Sequence, residues 1–292
     1  MAYASIFNAD LFSGQTIIVT GGGSGIGRCA AHELASLGAI VALVGRTTAK
    51  LDAVVVEIGA AGGRVEAWPC NIRDEDGVKA LVSQVLERHG RIDGLVNNAG
   101  GQFPAQLKDI SLKGWEAVLQ TNLTGGFLMA RECLNQAMQF GGGVIVNIAA
   151  DISGGMPNMG HSGAARAGMI NFTETAAFEW AQFGVRVNAV APGYIASSGM
   201  DAYPPSMRDI IRAFPETVPL KRFGTEAEVS AAIVFLLSDA AAFITGTTLR
   251  VDGGRPNVRP GMPMPGRRNP TAPFNGFHLA SLPKVLGDGG ND

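Results

Sequence analysis

Tyrosine is scarce in this chain: three among 292 residues, at Tyr3, Tyr194 and Tyr203. Cysteine and histidine are nearly as rare, with three and four. Cys29, Cys70 and Cys133 form no C-x-x-C pair, which excludes a disulfide framework and a sulfur-ligated zinc site. Without a cluster of histidines and carboxylates, no metal is expected. Charged residues make up 16% of the chain, against about a quarter in average usage. The net charge of −2 supplies no global electrostatic reason to bind nucleic acid or an acidic membrane surface. The N-terminus has no basic start leading into an apolar stretch, and the longest charge-free run, 133–150, is broken by Asn, Gln and three consecutive Gly. Neither a secretory signal nor a membrane span is expected, and the cytoplasm is the expected location. No internal repeat is present, which excludes propellers and solenoids.

What is abundant is glycine, 40 residues, within a chain that is 46% hydrophobic. That apolar content is enough for a sizeable core. Short β-branched runs at 16–20, 40–45, 65–69, 94–100, 144–150, 185–193 and 247–254 read as seven strands. They lack clean alternation, as strands covered on both faces do. Helix-length segments such as 73–89 and 225–238 intervene. The pattern predicts an α/β fold of Rossmann type: a single domain built on a doubly wound, seven-stranded parallel sheet.

From Arg255 the composition changes. The last 38 residues hold seven of the fifteen Pro and six Gly, which forbids a long helix or a central strand. Residues 1–254 are therefore read as the nucleotide-binding and catalytic domain, and 255–292 as a C-terminal extension. A solvated tail is one reading of the extension. An arm packing on a neighbouring subunit is the other, suggested by Phe274, Phe277, Leu279, Leu282, Val285 and Leu286.

The first strand runs directly into Thr20-Gly21-Gly22-Gly23-Ser24-Gly25-Ile26-Gly27, with a helix expected from about Arg28. Glycines here permit a tight turn and let backbone N–H groups approach a pyrophosphate at a helix N-terminus. After the second strand stands Gly45-Arg46-Thr47-Thr48, where an acidic residue would favour NAD by bonding both ribose hydroxyls. Arg46 is suited instead to a 2′-phosphate, through two N–H bonds. NADP(H) is the expected cofactor.

These features resemble the short-chain dehydrogenase/reductase family. TGGGSGIG matches its nucleotide loop, Asn97-Asn98-Ala99-Gly100 its NNAG, and Pro192-Gly193 its PG after the sixth strand; Asn122 stands where its helix Asn lies. The resemblance covers about residues 14–254. It implies cofactor contacts from Gly21, Gly23, Ser24, Gly25, Ile26 and Gly27, then from Arg46, Thr47, Asn71 and Ile72. It further implies contacts from Asn98, Ala99 and Gly100, from Arg166, and from Pro192, Gly193 and Ile195.

The departures are as informative. The family's Tyr-x-x-x-Lys falls on Ser162-Gly163-Ala164-Ala165-Arg166, and its catalytic Ser on Ala149. Loss of a positioned acid costs roughly two to four orders of magnitude in ketone–alcohol chemistry. The segment 161–168, with Gly100-Gly101-Gln102-Phe103, Cys70-Asn71-Ile72-Arg73 and the 243–255 run, resembles the peroxisomal trans-2-enoyl-CoA reductase branch, close to the 2,4-dienoyl-CoA reductases. That resemblance implies NADPH-dependent reduction of an α,β-unsaturated acyl thioester. The β-carbon of such a substrate is already electrophilic, and the charge that develops on the thioester oxygen needs hydrogen-bond donors rather than a strong acid. Ser162 and Arg166 share a helix face; Arg166 is expected to hold the nicotinamide ribose and to place a positive field on the enolate, and Ser162 to bond the thioester oxygen.

Asn122 falls on the buried face of its helix and is either catalytic or structural. Asp151, at the carboxyl edge of the fifth strand, is a proton relay, a partner of Arg166 or a turn residue. His161 points away from Ser162 and reads as a core or interface histidine. Residues 194–222 read as a lid, whose Arg208, Arg212, Lys221 and Arg222 are suited to coenzyme A phosphates or form a solvated face. Two other functions remain open: an NAD(P)-dependent dehydrogenase of another small carbonyl or alcohol, and a catalytically silent NADP-binding interaction protein. Apolar residues on more than one face of 111–139 and 160–182, Phe127 and Phe178 among them, predict a homodimer or homotetramer.

Overall fold

The computed structural model describes residues 2–259, 261–266 and 268–287. Parallel strands β1 (Thr16–Thr20), β2 (Ile40–Gly45), β3 (Arg64–Pro69), β4 (Gly94–Asn97), β5 (Gly143–Ile148) and β6 (Val185–Pro192) alternate with helices. A two-stranded ribbon, β7 (Ile195–Ala196) with β8 (Gly224–Thr225), precedes the last strand, β9 (Thr248–Val251). The main sheet has the order β3-β2-β1-β4-β5-β6-β9. All seven expected strands are present, so the fold is the Rossmann-type α/β fold that the apolar runs predict.

Successive strand residues point to opposite faces, and both faces are apolar. Ile17, Val19, Val41 and Leu43 meet α1 (Gly25–Ser36), α2 (Thr48–Ala60) and α9 (Glu226–Leu237) through Leu34, Val54 and Ile233. Ile18, Val44, Leu95 and Ile145 meet the opposite layer through Val82, Met129 and Ala177. That layer consists of α3 (Glu75–His89), a helical run from Leu112 to Gly141, and α7 (Gly160–Trp180). The long run comprises α4 (Leu112–Leu119), α5 (Gly125–Cys133) and α6 (Gln139–Gly141), joined by π-helical turns at Gln120–Thr124 and Leu134–Met138.

Sheet order reverses between β1 and β4, and the loops at the carboxyl ends of these strands open the crevice in which such sheets bind ligands. Helix α1 starts at Gly25, earlier than the apolar spacing suggests, because the glycine loop itself supplies its first turn. The 194–222 segment folds over the crevice as short 3₁₀ turns and α8 (Arg208–Ala213).

The C-terminal extension follows its own chain over much of its length and leaves Leu282 exposed. Phe277 is buried against Tyr3, with Arg28 5.1 Å above its ring. Gly276 O accepts from Ala4 N–H at 2.9 Å, and Phe274 O accepts from Thr225 Oγ1 at 2.7 Å. Phe274 and Leu279 pack beside Phe277 against Tyr3, Cys29 and Ala227.

Candidate active site

The nucleotide end is built from backbone. Gly21 and Gly25 have φ of +65° and +57°, which favours glycine. A Cβ at Gly27 would stand 2.5 Å from Gly21 O, and one at Gly21 would stand 2.9 Å from Ala99 Cα. Arg28 N–H makes the first α1 bond, to Ser24 O at 3.1 Å. The N–H groups of Gly25, Ile26 and Gly27 precede it and face the crevice, where they suit an anion. Ser24 is the N-cap, but its side chain makes no capping bond. Asn98 braces this loop rather than lying free: its amide donates to Thr20 O at 3.0 Å and Gly21 O at 3.3 Å. Its N–H and that of Ala99 both donate to Thr20 Oγ1 at 3.0 Å.

Arg46 and Thr47 are exposed beyond β2, where the adenosine ribose of a dinucleotide would lie. Asn71 Oδ1 accepts from Arg73 Nε at 3.2 Å, and Ile72 is wedged where a Cβ at Gly125 would come within 2.6 Å. On the far side Pro192 ends β6, Gly193 N–H donates to Val251 O at 3.0 Å, and Ile195 is buried in the ribbon. Glu226, at the start of α9, also faces the cradle: a Cβ at Gly25 would be 3.9 Å from its Oε1. Burial pushes this carboxyl up to about 7, with Arg28 and the Ser198 N–H pulling the other way. A cradle that side chains would fill and the helix N-terminal N–H groups together fit a nicotinamide dinucleotide.

At the reacting end, Asn122 is buried within the first π turn, a feature that recurs at functional sites. It clamps Gly101: Oδ1 accepts from Gly101 N–H at 2.8 Å and Nδ2 donates to Gly101 O at 3.0 Å. Arg166 projects from α7 between Gly100 and the end of β5, and its guanidinium donates to Ile148 O. Burial lowers its pKa to about 10, so it remains a cation at neutral pH. A Cβ at Gly100 would lie 2.4 Å from Arg166 Nη2 and 3.2 Å from Asn122 Oδ1, so these three residues form one contact. Ala149 is buried among Ala189 and Ala191 and offers no hydroxyl.

Ser162 and Asp151 both have partners within the chain. Ser162 is fully buried and its hydroxyl donates to Gln102 Oε1 at 2.8 Å, so its hydrogen is not free for a thioester oxygen. Asp151 does not pair with Arg166. Its Oδ1 accepts from Ser153 N–H at 3.0 Å, a turn bond. His161 is a core residue, its ring edge-on to Phe103 at 4.4 Å.

The family profile described as enoyl-(acyl carrier protein) reductase matches residues 20–255. A 3-oxoacyl-[acyl-carrier-protein] reductase of Synechocystis is 41% identical, over 82% of this chain and 96% of that protein. A Bacillus subtilis protein named "probable 2,4-dienoyl-CoA reductase" is 36% identical, over 82% of this chain and 96% of its own. Among solved structures, the citronellol catabolism dehydrogenase (AtuB) of Pseudomonas aeruginosa is 59% identical, with a TM-score of 0.79, covering 87% of this chain and all of that one. The chain is a short-chain dehydrogenase/reductase. It is accordingly an NAD(P)-dependent oxidoreductase, related to reductases of acyl thioesters.

Within this short-chain dehydrogenase/reductase, three of the four expected coenzyme A cations are already engaged, while Arg208 is exposed. Arg212 donates to Val285 O and Gly287 O, Lys221 to Glu216, and Arg222 pairs with Glu228 at 2.6 Å. Three further residues complete the site: Asn97, the first of the NNAG, and Asn147 and Tyr203, which no motif singles out. Asn97 Nδ2 donates to Gly126 O and Asn147 Oδ1, and Asn147 Nδ2 donates to Thr173 Oγ1, tying β4 and β5 to the helices beneath the crevice. Asn147 within an otherwise apolar strand is the signal for that network. The third is Tyr203, whose hydroxyl accepts from Gln102 Nε2 at 2.6 Å. No motif flags that contact. Among the described residues no His, Cys, Asp and Glu group could hold a metal ion, and no helix is long and apolar enough to cross a membrane.

Proposed function

We propose that the protein is an NADPH-dependent reductase of the 2,3-double bond of an enoyl thioester, with coenzyme A as the acyl carrier. The observation that carries this reading is the composition of the reacting end. Ala149 and a committed Ser162 stand where a carbonyl reductase needs an acid, beside the buried cation Arg166. Bound in the cradle, the reduced nicotinamide supplies hydride to the electrophilic β-carbon. Arg166 then places positive charge near the oxygen on which the electron pair accumulates, and in a water-poor crevice this is worth far more than in bulk water. Asn122 fixes the Gly100–Gly101 backbone against which the acyl group would lie. The relatives named for acyl-carrier-protein and coenzyme A thioesters support the substrate class, and Arg46 supports NADPH over NADH.

The test is steady-state consumption of NADPH with crotonyl-CoA and decenoyl-CoA. Turnover of both above blank is expected, and none with either refutes the reading. Arg46→Ala is expected to weaken NADPH binding about tenfold to hundredfold and to leave NADH little changed. That is the range for hydrogen bonds to a charged group, about 1.5–3 kcal/mol. Fluorescence titration with both cofactors checks it.

A second reading is favoured by the 59% identity to the citronellol catabolism dehydrogenase: oxidation of an acyclic branched alcohol or reduction of the matching aldehyde. Citronellol with NADP⁺ or NAD⁺ in the same assay separates the two. We propose further that the protein works in the cytoplasm as a homodimer or homotetramer. Phe178 on α7, 86% exposed, and Phe127 on α5 supply an apolar face for a second copy.

A further inference from the structure

We propose that Tyr203 is the hydrogen-bond donor to the substrate's carbonyl oxygen, carried into the crevice by the lid in place of the phenol that position 162 lacks. The assignment rests on the thioester-reductase reading above. Of the three tyrosines, Tyr3 lies under the C-terminal extension beside Glu33, and Tyr194 stacks on Phe214 at 4.1 Å. Tyr203 bonds Gln102, two residues beyond the Gly100 that Arg166 and Asn122 flank. Its hydroxyl sits 2.6 Å from Gln102 Nε2, while Gln102 Oε1 takes the Ser162 hydrogen at 2.8 Å. Gln102 in turn follows Gly101, which Asn122 holds by two bonds.

The donor arithmetic of this chain singles out the phenol. Ser162 has one hydrogen and gives it to Gln102. Gln102 gives an amide hydrogen to Tyr203. Tyr203 therefore receives at oxygen and keeps its own O–H for a further acceptor. The amide thus aims the phenol and strengthens it as a donor, because a hydroxyl that accepts a bond donates a better one. Burial also raises its pKa, so it stays protonated through the neutral range and acts by hydrogen bonding.

Hydride arriving at the β-carbon breaks the C–C π bond, whose electron pair moves through the α-carbon and onto the thioester oxygen. Tyr203 stabilises that oxygen and retains its proton. The α-carbon then takes one proton from solvent water as the carbonyl re-forms. One hydride and one proton are added, and the phenol ends unchanged. Because the donor rides on the lid, it is delivered only when the lid is down, which couples exclusion of water to activation of the substrate.

The experiment compares the wild type with Tyr203→Phe and Gln102→Leu, using crotonyl-CoA and acetoacetyl-CoA with NADPH, alongside NADPH affinity by fluorescence. Tyr203→Phe is expected to lower kcat for crotonyl-CoA by about 10²–10³, the cost of one oxyanion donor, with NADPH affinity unchanged. Gln102→Leu keeps the phenol and loses only its aim, so its effect is expected to be smaller and to fall mainly on KM. If Tyr203→Phe keeps kcat within twofold, or if both variants change KM alone and equally, Tyr203 is a latch and the proposal is overturned. A wild type that turns over neither thioester removes the thioester reading and this role with it. A wild type that turns over crotonyl-CoA beside an equally active Tyr203→Phe removes this role alone. Calorimetry of hexanoyl-CoA with NADP⁺ present adds a readout free of turnover: Tyr203→Phe is expected to bind it several-fold more weakly.

Discussion

Arg166 sits where burial and charge oppose each other. Desolvation brings its pKa down to about 10, yet a guanidinium starts high enough to remain charged. An ammonium in the same place starts lower and carries no planar fork to span Gly100 and Ile148 O. Arg166→Lys is therefore expected to lose about tenfold in kcat and to gain a basic limb, its rate falling as the lysine deprotonates within the assay range. A pH–rate profile of both proteins checks this. Glu226 presents the reverse case. Burial raises its pKa from 4.5 to about 7, so the stability it contributes is whole below about 4.5 and is lost as pH rises through about 7. Glu226→Gln cannot ionise and is expected to abolish that part of the decline in Tm across this window. The same ionisation puts negative charge beside Gly25 in the phosphate cradle. Wild-type NADPH affinity is therefore expected to drop above about pH 7, and that of Glu226→Gln to stay level.

Among the elements, the strands were legible because parallel strands covered on both faces must be short apolar runs, and 16–20, 40–45 and 185–193 have no other use for so many β-branched residues. The glycine loop was legible because its conformation forbids side chains at Gly21 and Gly27. The π turn was not. Its extra residue leaves the apolar spacing of 111–139 nearly intact, yet it is where Asn122 leaves the helix to hold Gly101. The buried amides of Asn97 and Asn147 were visible only as residues, because their meaning depends on β4 and β5 being neighbours in the sheet. Asn147→Ala removes the link from both Asn97 and Thr173 and leaves a small void. It is expected to cost about 1–3 kcal/mol with cofactor affinity falling less than stability, measured by urea denaturation and NADPH titration. The contact between Gln102 and Tyr203 was the least legible feature. It joins residues far apart along the chain through a lid path that no local propensity sets.

For the molecule as a whole, the C-terminal extension is the part whose sequence is informative in composition and silent in destination. Proline and glycine exclude regular structure, but they do not say which surface the chain will follow. The fold answers with two anchorages. Near the start of α9, Glu228 Oε1 accepts from Phe274 N–H and Thr225 Oγ1 donates to Phe274 O, within the capping box that begins the helix. Farther on, Asp201 Oδ1 accepts from Lys284 N–H at 2.7 Å, and Arg212 donates to Val285 O at 3.0 Å and Gly287 O at 2.5 Å. Asp201 and Arg212 belong to the lid. The extension is thus a strap from the core to the lid, and its second anchorage lies two residues from Tyr203. Cutting the chain after Leu279 keeps Phe274 and Phe277 in their groove and removes only the lid anchorage. Such a truncation is expected to unfold as cooperatively as the full chain and to bind NADPH unchanged, because Lys284, Val285 and Gly287 bond the lid rather than the cradle. Its KM for an enoyl thioester is expected to rise about tenfold, the equivalent of about 1.4 kcal/mol of lost lid docking, and proteolysis within 194–222 is expected to quicken. An unchanged KM together with unchanged proteolysis would show that the lid closes without its strap.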